Sequence, residues 1–514
     1  KCCNDLKELK EKLAKEIPEH QRQDFLNNIN SLGSDTQISK NKKLIPILII
    51  LLLVIGSVTW KLSSAKNSSK IPVPTVVEDT HVDFRGVTSN TVKLGMSAAF
   101  SGPAKELGRG MEIGIKTALA EINDAEGIFG RKLELMPMDD SYEPKKALNN
   151  LKTFLHPENG VFALIGNVGT PTAKEILPET LQNSTLVFGT LSGAQILRRI
   201  PPDSFVFNYR ASYAEEVSAV IRYYTEQCDV SPKNIAVFYQ DDSYGQDVLN
   251  GMKTALRHLK VHEPEYLATY KRNTIDVQEA ASAFLTKKDN IEAIIIIGTY
   301  KASAAFTKKM RDGGYKGEIA NVSFVGTSAL IEEFKTMGST YAEKMLISQV
   351  VPYYNSYSER ALQFRKAIKK YHPNEKPDFI SFEGYIVAIL FAEALKRNGR
   401  KITTKSFIKA LHSIKNYDMG TGQNFSFGKS DHQASHYVWG IKLDKNADIK
   451  EITLPVPIKR PSPFTHAIRK KSINCQKLPY LRSCAFKAVK VCGSNEKIYL
   501  NRTLSCYRNN RNTS

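Results

Sequence analysis

From about Thr91 onward, short apolar, β-branched runs alternate with longer stretches whose apolar residues recur every three to four positions. "VKLGMSAAF", "KLELMPMDD", "VFALIG" and "STLVFGT" read as strands. Between them lie helical patterns, one from about Ala104 to Ala125, one from Pro144 and one after "VFALIG". The alternation resumes with "NIAVFYQ", "EAIIIIG" and "VSFVGT". Strands alternating with helices predict βαβ units, parallel sheets and right-handed crossovers. About 360 residues of this texture exceed one hydrophobic core, so two α/β lobes are expected.

The chain ahead of this region has a different pattern. Residues 1–43 are polar, and "LKELKEKLAKEI" has the spacing of an amphipathic helix, solvated or partner-binding. Cys2 and Cys3 are candidates for lipidation, on a weak signal. Leu44 to Trp60, "LIPILIILLLVIGSVTW", carries no charge. A run of ~17 apolar residues sits at the short end of a bilayer span. Lys42 and Lys43 flank one end, and Trp60 and Lys61 the other. This predicts one transmembrane helix over 44–60, not a cleaved signal, because no small-residue cleavage site follows closely. The compact lysines on the N-terminal side predict a cytoplasmic N-terminus and a periplasmic or extracellular C-terminal side. Residues 61–89, rich in Ser, Pro and Val, read as a tether.

Composition adds two constraints. With 514 residues, 42% hydrophobic and 24% charged, the chain is an ordinary globular one with room for two or three domains. Its net charge of +20 is concentrated: Lys459 to Ser514 hold 13 Lys and Arg against one acid, Glu496. The body is therefore not a nucleic-acid binder by charge. Cys475, Cys484, Cys492 and Cys506 cluster in the same tail without a CxxC pair. That pattern favours disulfides in an oxidising compartment over a metal site, and agrees with an outward-facing C-terminal side.

Catalytic signatures are missing. There is no GxSxG elbow, no P-loop, no HExxH and no dinucleotide fingerprint. Asp139-Asp140 and Asp241-Asp242 are paired carboxylates, but neighbours at a strand end point apart, which suits turn and cap roles. His432 and His436 lack a third metal ligand. The sequence predicts neither enzyme activity nor a cofactor or metal.

In parallel α/β sheets, ligands bind beyond the carboxyl ends of the strands. The loops at those ends read "FSGPAKELGRGMEIG", "IGNVGTPTA", "FGTLSGAQILR", "YQDDSYGQDV", "IIGTYKASAAF", "SFVGTSAL", "QVVPYY", "DFISFEGYIVA" and "FSFGKSDHQAS". In this order they resemble the leucine/amide-type periplasmic solute-binding proteins (type I fold) of ABC importers, over about residues 90–452. The resemblance implies two Rossmann-like lobes joined by three crossovers and closing on a ligand. Lobe one would comprise about 90–209 and 351–430, and lobe two about 210–348 and 431–452, with a hinge around Val350, Val351 and Pro352. It also implies the ligand contacts. Thr170 would meet a ligand carboxylate, Leu191, Ser192 and Gly193 would form the second loop, and Tyr244 and Tyr300 would come from lobe two. Ser328 stands where amino-acid binders of the family place an acid for the α-ammonium, and Leu107 where leucine binders have an aromatic. Glu383 and Asp431 are alternative carboxylates, although a helix-start charge and a turn residue need no ligand.

Residues 453–474 form a basic, Pro-rich linker, and 475–514 resemble a truncated Kazal-type protease-inhibitor module. The frame is Cys484, Cys492-Gly493-Ser494, Tyr499 and Asn501. By the family pattern Phe486 would contact a serine protease and Cys475 would pair with Cys506. Thr503 occupies a position that is normally Cys. The expectation is a membrane-tethered, extracytoplasmic binder of a small solute — an amino acid, amide or related carboxylate — serving uptake through a permease or a signalling partner. The alternative is an extracellular serine-protease inhibitor or structural protein acting through the tail.

Overall fold

The computed structural model describes residues 85–455. They form two sheets flanked by helices. The first sheet is built from β1 (Thr91–Ala98), β2 (Lys132–Asp139), β3 (Ala163–Ile165), β4 (Leu186–Phe188) and β5 (Val206–Phe207). Its order is β2-β1-β3-β4-β5 and every pair is parallel. Three helices alternate with these strands: α1 (Lys105–Asp124), α2 (Pro144–Phe154) and α3 (Thr170–Gln182).

The second sheet contains β6 (Ile235–Gln240), β7 (Leu267–Tyr270), β8 (Ala293–Ile297), β9 (Glu318–Asn321) and β10 (Met345–Gln349). It alternates with α4 (Tyr213–Gln227), α5 (Ser243–His258), α6 (Gln278–Leu285), α7 (Tyr300–Asp312) and α8 (Thr327–Met337). The chain then forms α9 (Glu359–Tyr371), α10 (Phe379–Asn398), α11 (Thr404–Ser413) and the hairpin β11 (Tyr417–Asp418) and β12 (Asn424–Phe425). It ends on β13 (Trp439–Leu443) and β14 (Ile449–Ile452), which extend the second sheet to the order β14-β13-β10-β9-β8-β6-β7. β13 and β14 are its antiparallel members. β8 reads Ala-Ile-Ile-Ile-Ile and is buried throughout, as a strand covered by helices on both faces must be.

α10 returns to the first lobe. Phe391 packs edge-on against Phe162 and Phe188 of that lobe. α1 and α10 approach so closely that a Cβ on Gly114 would lie 1.9 Å from the Ser381 carbonyl oxygen.

The chain passes between lobes three times, after β5, after β10 and before β13. The three passages are bonded to one another. Asn208 N–H donates to the His432 carbonyl at 2.8 Å, and Ala434 N–H donates to the Asn208 carbonyl at 2.8 Å. The Tyr209 hydroxyl donates to the Val350 carbonyl at 3.2 Å. The two lobes are thus joined by three short segments that are hydrogen-bonded to one another.

One expected strand is corrected. "VSFVGT" is not a strand: β9 closes at Asn321, and Ser323–Val325 form a 3-10 turn. The buried Glu216 carboxylate accepts from both the Ser323 N–H (2.9 Å) and its hydroxyl (3.0 Å), drawing the segment out of the sheet. Among the described residues no helix is long and apolar enough to cross a membrane. The run 44–60, the pair Cys475 and Cys506, and Phe486 lie outside the described residues.

Candidate functional site

The candidate site is buried, and its first wall comes from lobe one. Gly169, at φ 108°, turns the chain from β3 into α3, a geometry that favours glycine. Thr170 follows as the first residue of α3. Its Oγ1 lies 2.8 Å from Ser192 Oγ, and both side chains are buried. Leu191 is placed beside them, but its N–H donates to the Asn167 carbonyl and its carbonyl accepts from Gly169 N–H. Its backbone is therefore used by the fold. Gly193 allows a close approach: a Cβ there would lie 2.5 Å from Tyr213 N.

The second wall is aromatic and comes mainly from lobe two. Tyr244, in the first turn of α5, is 5.3 Å from Tyr213 and 4.7 Å from Phe324, centroid to centroid. Tyr142 of lobe one lies 6.0 Å from Phe324. Ser141 and Tyr142 have φ of 51° and 60°. Two consecutive non-glycine residues in the left-handed region are strained, and such strain concentrates where a ligand is clamped. The Tyr213 hydroxyl lies near both Thr170 and Ser192, and burial pushes it up to about 12, so it stays protonated.

The floor, at the hinge, is ionic. Arg210 is wholly buried between Glu216, at 3.5 Å from Nη2, and Glu383, at 3.6 Å from Nε. Its guanidinium also bonds the Ser323 hydroxyl and lies 5.8 Å from the Tyr213 ring centroid. Glu216 accepts from Ser348 Oγ at 2.6 Å as well. Burial pushes the Glu383 carboxyl up to about 7, against the pull of Arg210. Burial alone would lower the Arg210 guanidinium, but Glu383 and Glu216 outweigh it and raise it. Arg210 Nη1, Glu383 Oε1 and the Tyr244 hydroxyl are buried and have no hydrogen-bond partner among the described residues. Buried polar atoms without partners are costly in a fold.

Tyr300 and Ser328 fall elsewhere. They line an opening of about 800 Å³ between the lobes, together with Leu107, Gly326, Tyr353 and Tyr354. Ser328 is half-buried and lies near the Tyr354 hydroxyl. The structure thus separates the predicted residues into an inner group around Thr170, Ser192 and Tyr244, and an outer group of Tyr300 and Ser328. A larger groove, about 1020 Å³, runs along the outer side of the crossovers and contains none of them.

Three of the four paired carboxylates have structural roles. Asp140 is buried and accepts from Ser97, Asp139 accepts from Ser101 and Ser141, and Asp242 caps α5. Asp431 bonds His436 on the outer groove. His432 faces His412, not His436, with the two Nε2 atoms 3.0 Å apart. Glu383 is not a helix-start charge: it is the fifth residue of α10, buried beside Arg210 as a member of the floor. Sequence reasoning missed Tyr142, Arg210, Tyr213, Glu216 and Phe324. A signal was present: "NYRASYAEE" places a lone Arg and two acids at the end of the last strand of lobe one, among apolar residues.

Comparison with known proteins matches the fold. The periplasmic binding protein family profile fits residues 91–448. "Leu/Ile/Val-binding protein homolog 3" of Brucella melitensis is 23% identical over 347 residues, covering 66% of this chain and 88% of that protein. A crystal structure of a possible leucine/isoleucine/valine-binding protein from Rhodopirellula baltica superposes with a TM-score of 0.67 at 33% identity, over 73% of this chain and 98% of that one. A branched-chain amino acid ABC transporter protein from Thermus thermophilus, solved with bound valine, shares the fold at 16% identity and a TM-score of 0.64, over 74% and 99% of the two chains.

Proposed function

The chain belongs to the periplasmic binding protein family, and from that premise we propose that it binds a small solute, an amino acid, amide or related carboxylate, by closure of its two lobes outside the cytoplasm. The observation that carries this reading is the convergence of buried polar side chains from both lobes near the crossovers, Thr170 and Ser192 from one and Tyr213 and Tyr244 from the other, beside the Arg210–Glu383 pair. A ligand placed there would touch both lobes, so its binding energy would favour the closed state over the open one. Thr170 and Ser192 supply hydroxyls from one side, and Tyr213 and Tyr244 supply rings from the other. No step of chemistry is required of any group in the cleft, so the protein acts as a binder and not as an enzyme.

The apolar run 44–60 would hold the domain at a membrane surface. Delivery to a permease and presentation to a signalling partner both fit a tethered binder. The inhibitor reading rests on 475–514 alone, and no described residue bears on it.

The test is a thermal-shift screen of the chain against amino acids, amides and short-chain carboxylates, followed by small-angle scattering with any stabilising compound. A ligand of the cleft raises Tm with the logarithm of its concentration above Kd and reduces the radius of gyration. If no compound does either, the reading fails.

A further inference from the structure

The groove of about 1020 Å³ beside the crossovers holds none of the groups assigned to the cleft. Its walls come from both lobes: Ile200 and Phe427 line it from lobe one, and Glu215 and Trp439 from lobe two. Its rim is apolar and aromatic. Ile200 is 59% exposed and Tyr437 44%, and the Tyr437 ring lies 6.0 Å from that of the half-buried Trp439. Large apolar side chains gathered at the surface inside a polar border mark a binding surface.

The chain itself leads into this groove. β14 closes at Ile452, and two residues later Leu454 is buried and lines the groove. Leu454 lies over β13, where a Cβ on Gly440 would be 2.6 Å from Leu454 Cγ. Leu454 and Pro455 are the last described residues. The sequence continues Val456-Pro457-Ile458-Lys459-Arg460-Pro461-Ser462-Pro463-Phe464, which supplies three prolines, three other apolar side chains and two cations. Proline-rich segments dock in extended form on aromatic-lined grooves, because proline has already given up the backbone freedom that docking costs. Neighbouring backbone segments lie ~5 Å apart, so nine residues at ~3.1 Å each outreach the three crossovers.

The charges are complementary. Glu215 and Asp431 share one imidazolium, that of His436, and the Asp431 side chain is 53% exposed. The groove's other cations are engaged: Arg198 by Gln433 and three carbonyls, Arg199 by Asp203, and Lys415 by the Phe427 carbonyl. Two carboxylates against one imidazolium favour a further cation, which Lys459 or Arg460 supplies.

We propose that this groove is the docking site of the chain's own residues 456–464, which act as a strap joining lobe two to lobe one across the crossovers. Direct attachment gives the segment a roughly millimolar effective concentration at the groove, against which a second copy or a separate partner competes poorly. The docking does not depend on what the cleft binds.

Trp60 and Trp439 are the only tryptophans of the chain, so Trp60→Phe leaves Trp439 as a single reporter inside the groove. The experiment measures acrylamide quenching of Trp439 in the full chain carrying Trp60→Phe, with and without Ile458→Asp and Phe464→Asp. Both added substitutions lie outside residues 85–455, and an unchanged Tm confirms that the domain is intact. The docked segment is expected to hold the quenching constant at least about twofold below that of the substituted chain. A synthetic peptide of residues 456–464, added to the substituted chain, is expected to restore the shielding saturably. Asp431→Asn in that chain is expected to weaken the peptide about two- to fivefold. Equal quenching in the two chains overturns the proposal. Shielding that grows with protein concentration also overturns it, because a second copy then fills the groove. So does a peptide of scrambled sequence that shields as well as the native one.

Discussion

Glu143 of lobe one and Arg272 of lobe two meet across the cleft, Oε2 to Nη2, at 2.9 Å. Arg272 also holds Asp242 of its own lobe at 3.1 Å, and the adjacent Asn273 donates to Glu143 Oε1 at 2.7 Å and to the Ser141 carbonyl at 3.1 Å. These bonds lie at the strained Ser141-Tyr142 turn, away from the crossovers, and join groups that rotation of the lobes would pull apart. The contact is partly exposed, so its strength is that of a screened surface pair. Glu143→Gln combined with Asn273→Ala is expected to favour the open form. Ligand affinity should drop by about three- to tenfold, and the unliganded radius of gyration should rise. Unchanged values in calorimetry and scattering would show that the latch does not bias closure.

Most of this architecture was legible in the sequence. The alternation of β8-like apolar runs with amphipathic helices is dictated by burial on both faces, a pattern that survives in composition alone. The positions of Thr170, Ser192 and Tyr244 beyond the strand ends were legible because the strand–helix alternation fixes where each loop falls. Arg210, Glu216 and Glu383 were not. They are far apart in the chain and become a unit only when the crossovers fold back together, and a buried ion cluster leaves no periodic trace. "VSFVGT" was misread for the same reason: its β-branched pattern is strand-like, but the pull of Glu216 on Ser323 is a tertiary effect that overrides propensity. Tyr300 and Ser328 took positions at strand ends, as the resemblance implied, yet they line the outer opening and not the inner group.

The Tyr244 hydroxyl separates stability from binding. It is buried without a partner, so removing it relieves an unmet polar group in the unliganded protein. Tyr244→Phe keeps the ring against Tyr213 and Phe324. The expected outcome is an unchanged or raised stability, by up to about 1 kcal/mol, with ligand affinity reduced about tenfold. Denaturant titration and calorimetry on the same preparation check both halves.

His436 supplies a pH dependence. Its ring bonds Glu215 at 2.6 Å and Asp431 at 3.0 Å. Burial would lower its pKa, but those two carboxylates push it up to about 9 from 6.5. A cation with a raised folded pKa stabilises fully below its unfolded value and loses that contribution as pH rises through the folded one. Glu215 is held down to about 2 from 4.5, burial notwithstanding, chiefly by the His436 bond, so its share is lost as pH falls through 2. The pair is therefore expected to stabilise most between pH 4.5 and 6.5 and to weaken from 6.5 to 9. Half of the imidazole is exposed, which screens the effect. The Tm difference between wild type and His436→Asn should shrink steadily across the upper window, and a constant difference would refute the pairing.

Gly114 and Gly110 distinguish backbone from side-chain crowding in the α1–α10 contact. A Cβ on Gly114 would meet the Ser381 carbonyl at 1.9 Å, whereas one on Gly110 would meet Ile380 Cγ2 at 3.1 Å. A carbonyl within α10 cannot move without the helix, while an isoleucine can change rotamer. Gly114→Ala is expected to cost at least about 2 kcal/mol, and Gly110→Ala to fall well below that. Urea unfolding of the two variants side by side measures the difference.

Arg210 is the sharpest case, because the buried carboxylates of Glu216 and Glu383 both face it. Arg210→Met retains apolar volume but leaves Glu216 buried, bonded only to Ser323 and Ser348, and leaves Glu383 with no counter-charge nearby except Arg198. Removing one partner of a buried ion cluster costs about 3–5 kcal/mol, since the remaining charges stay desolvated. The loss comes from uncompensated charge and not from lost packing, so it should be reversible by neutralisation. Adding Glu216→Gln and Glu383→Gln to Arg210→Met is expected to restore most of the stability without restoring ligand binding. If the triple variant remains as unstable as the single one in denaturant titration, Arg210 holds the hinge through shape, and the ionic account of the floor is wrong.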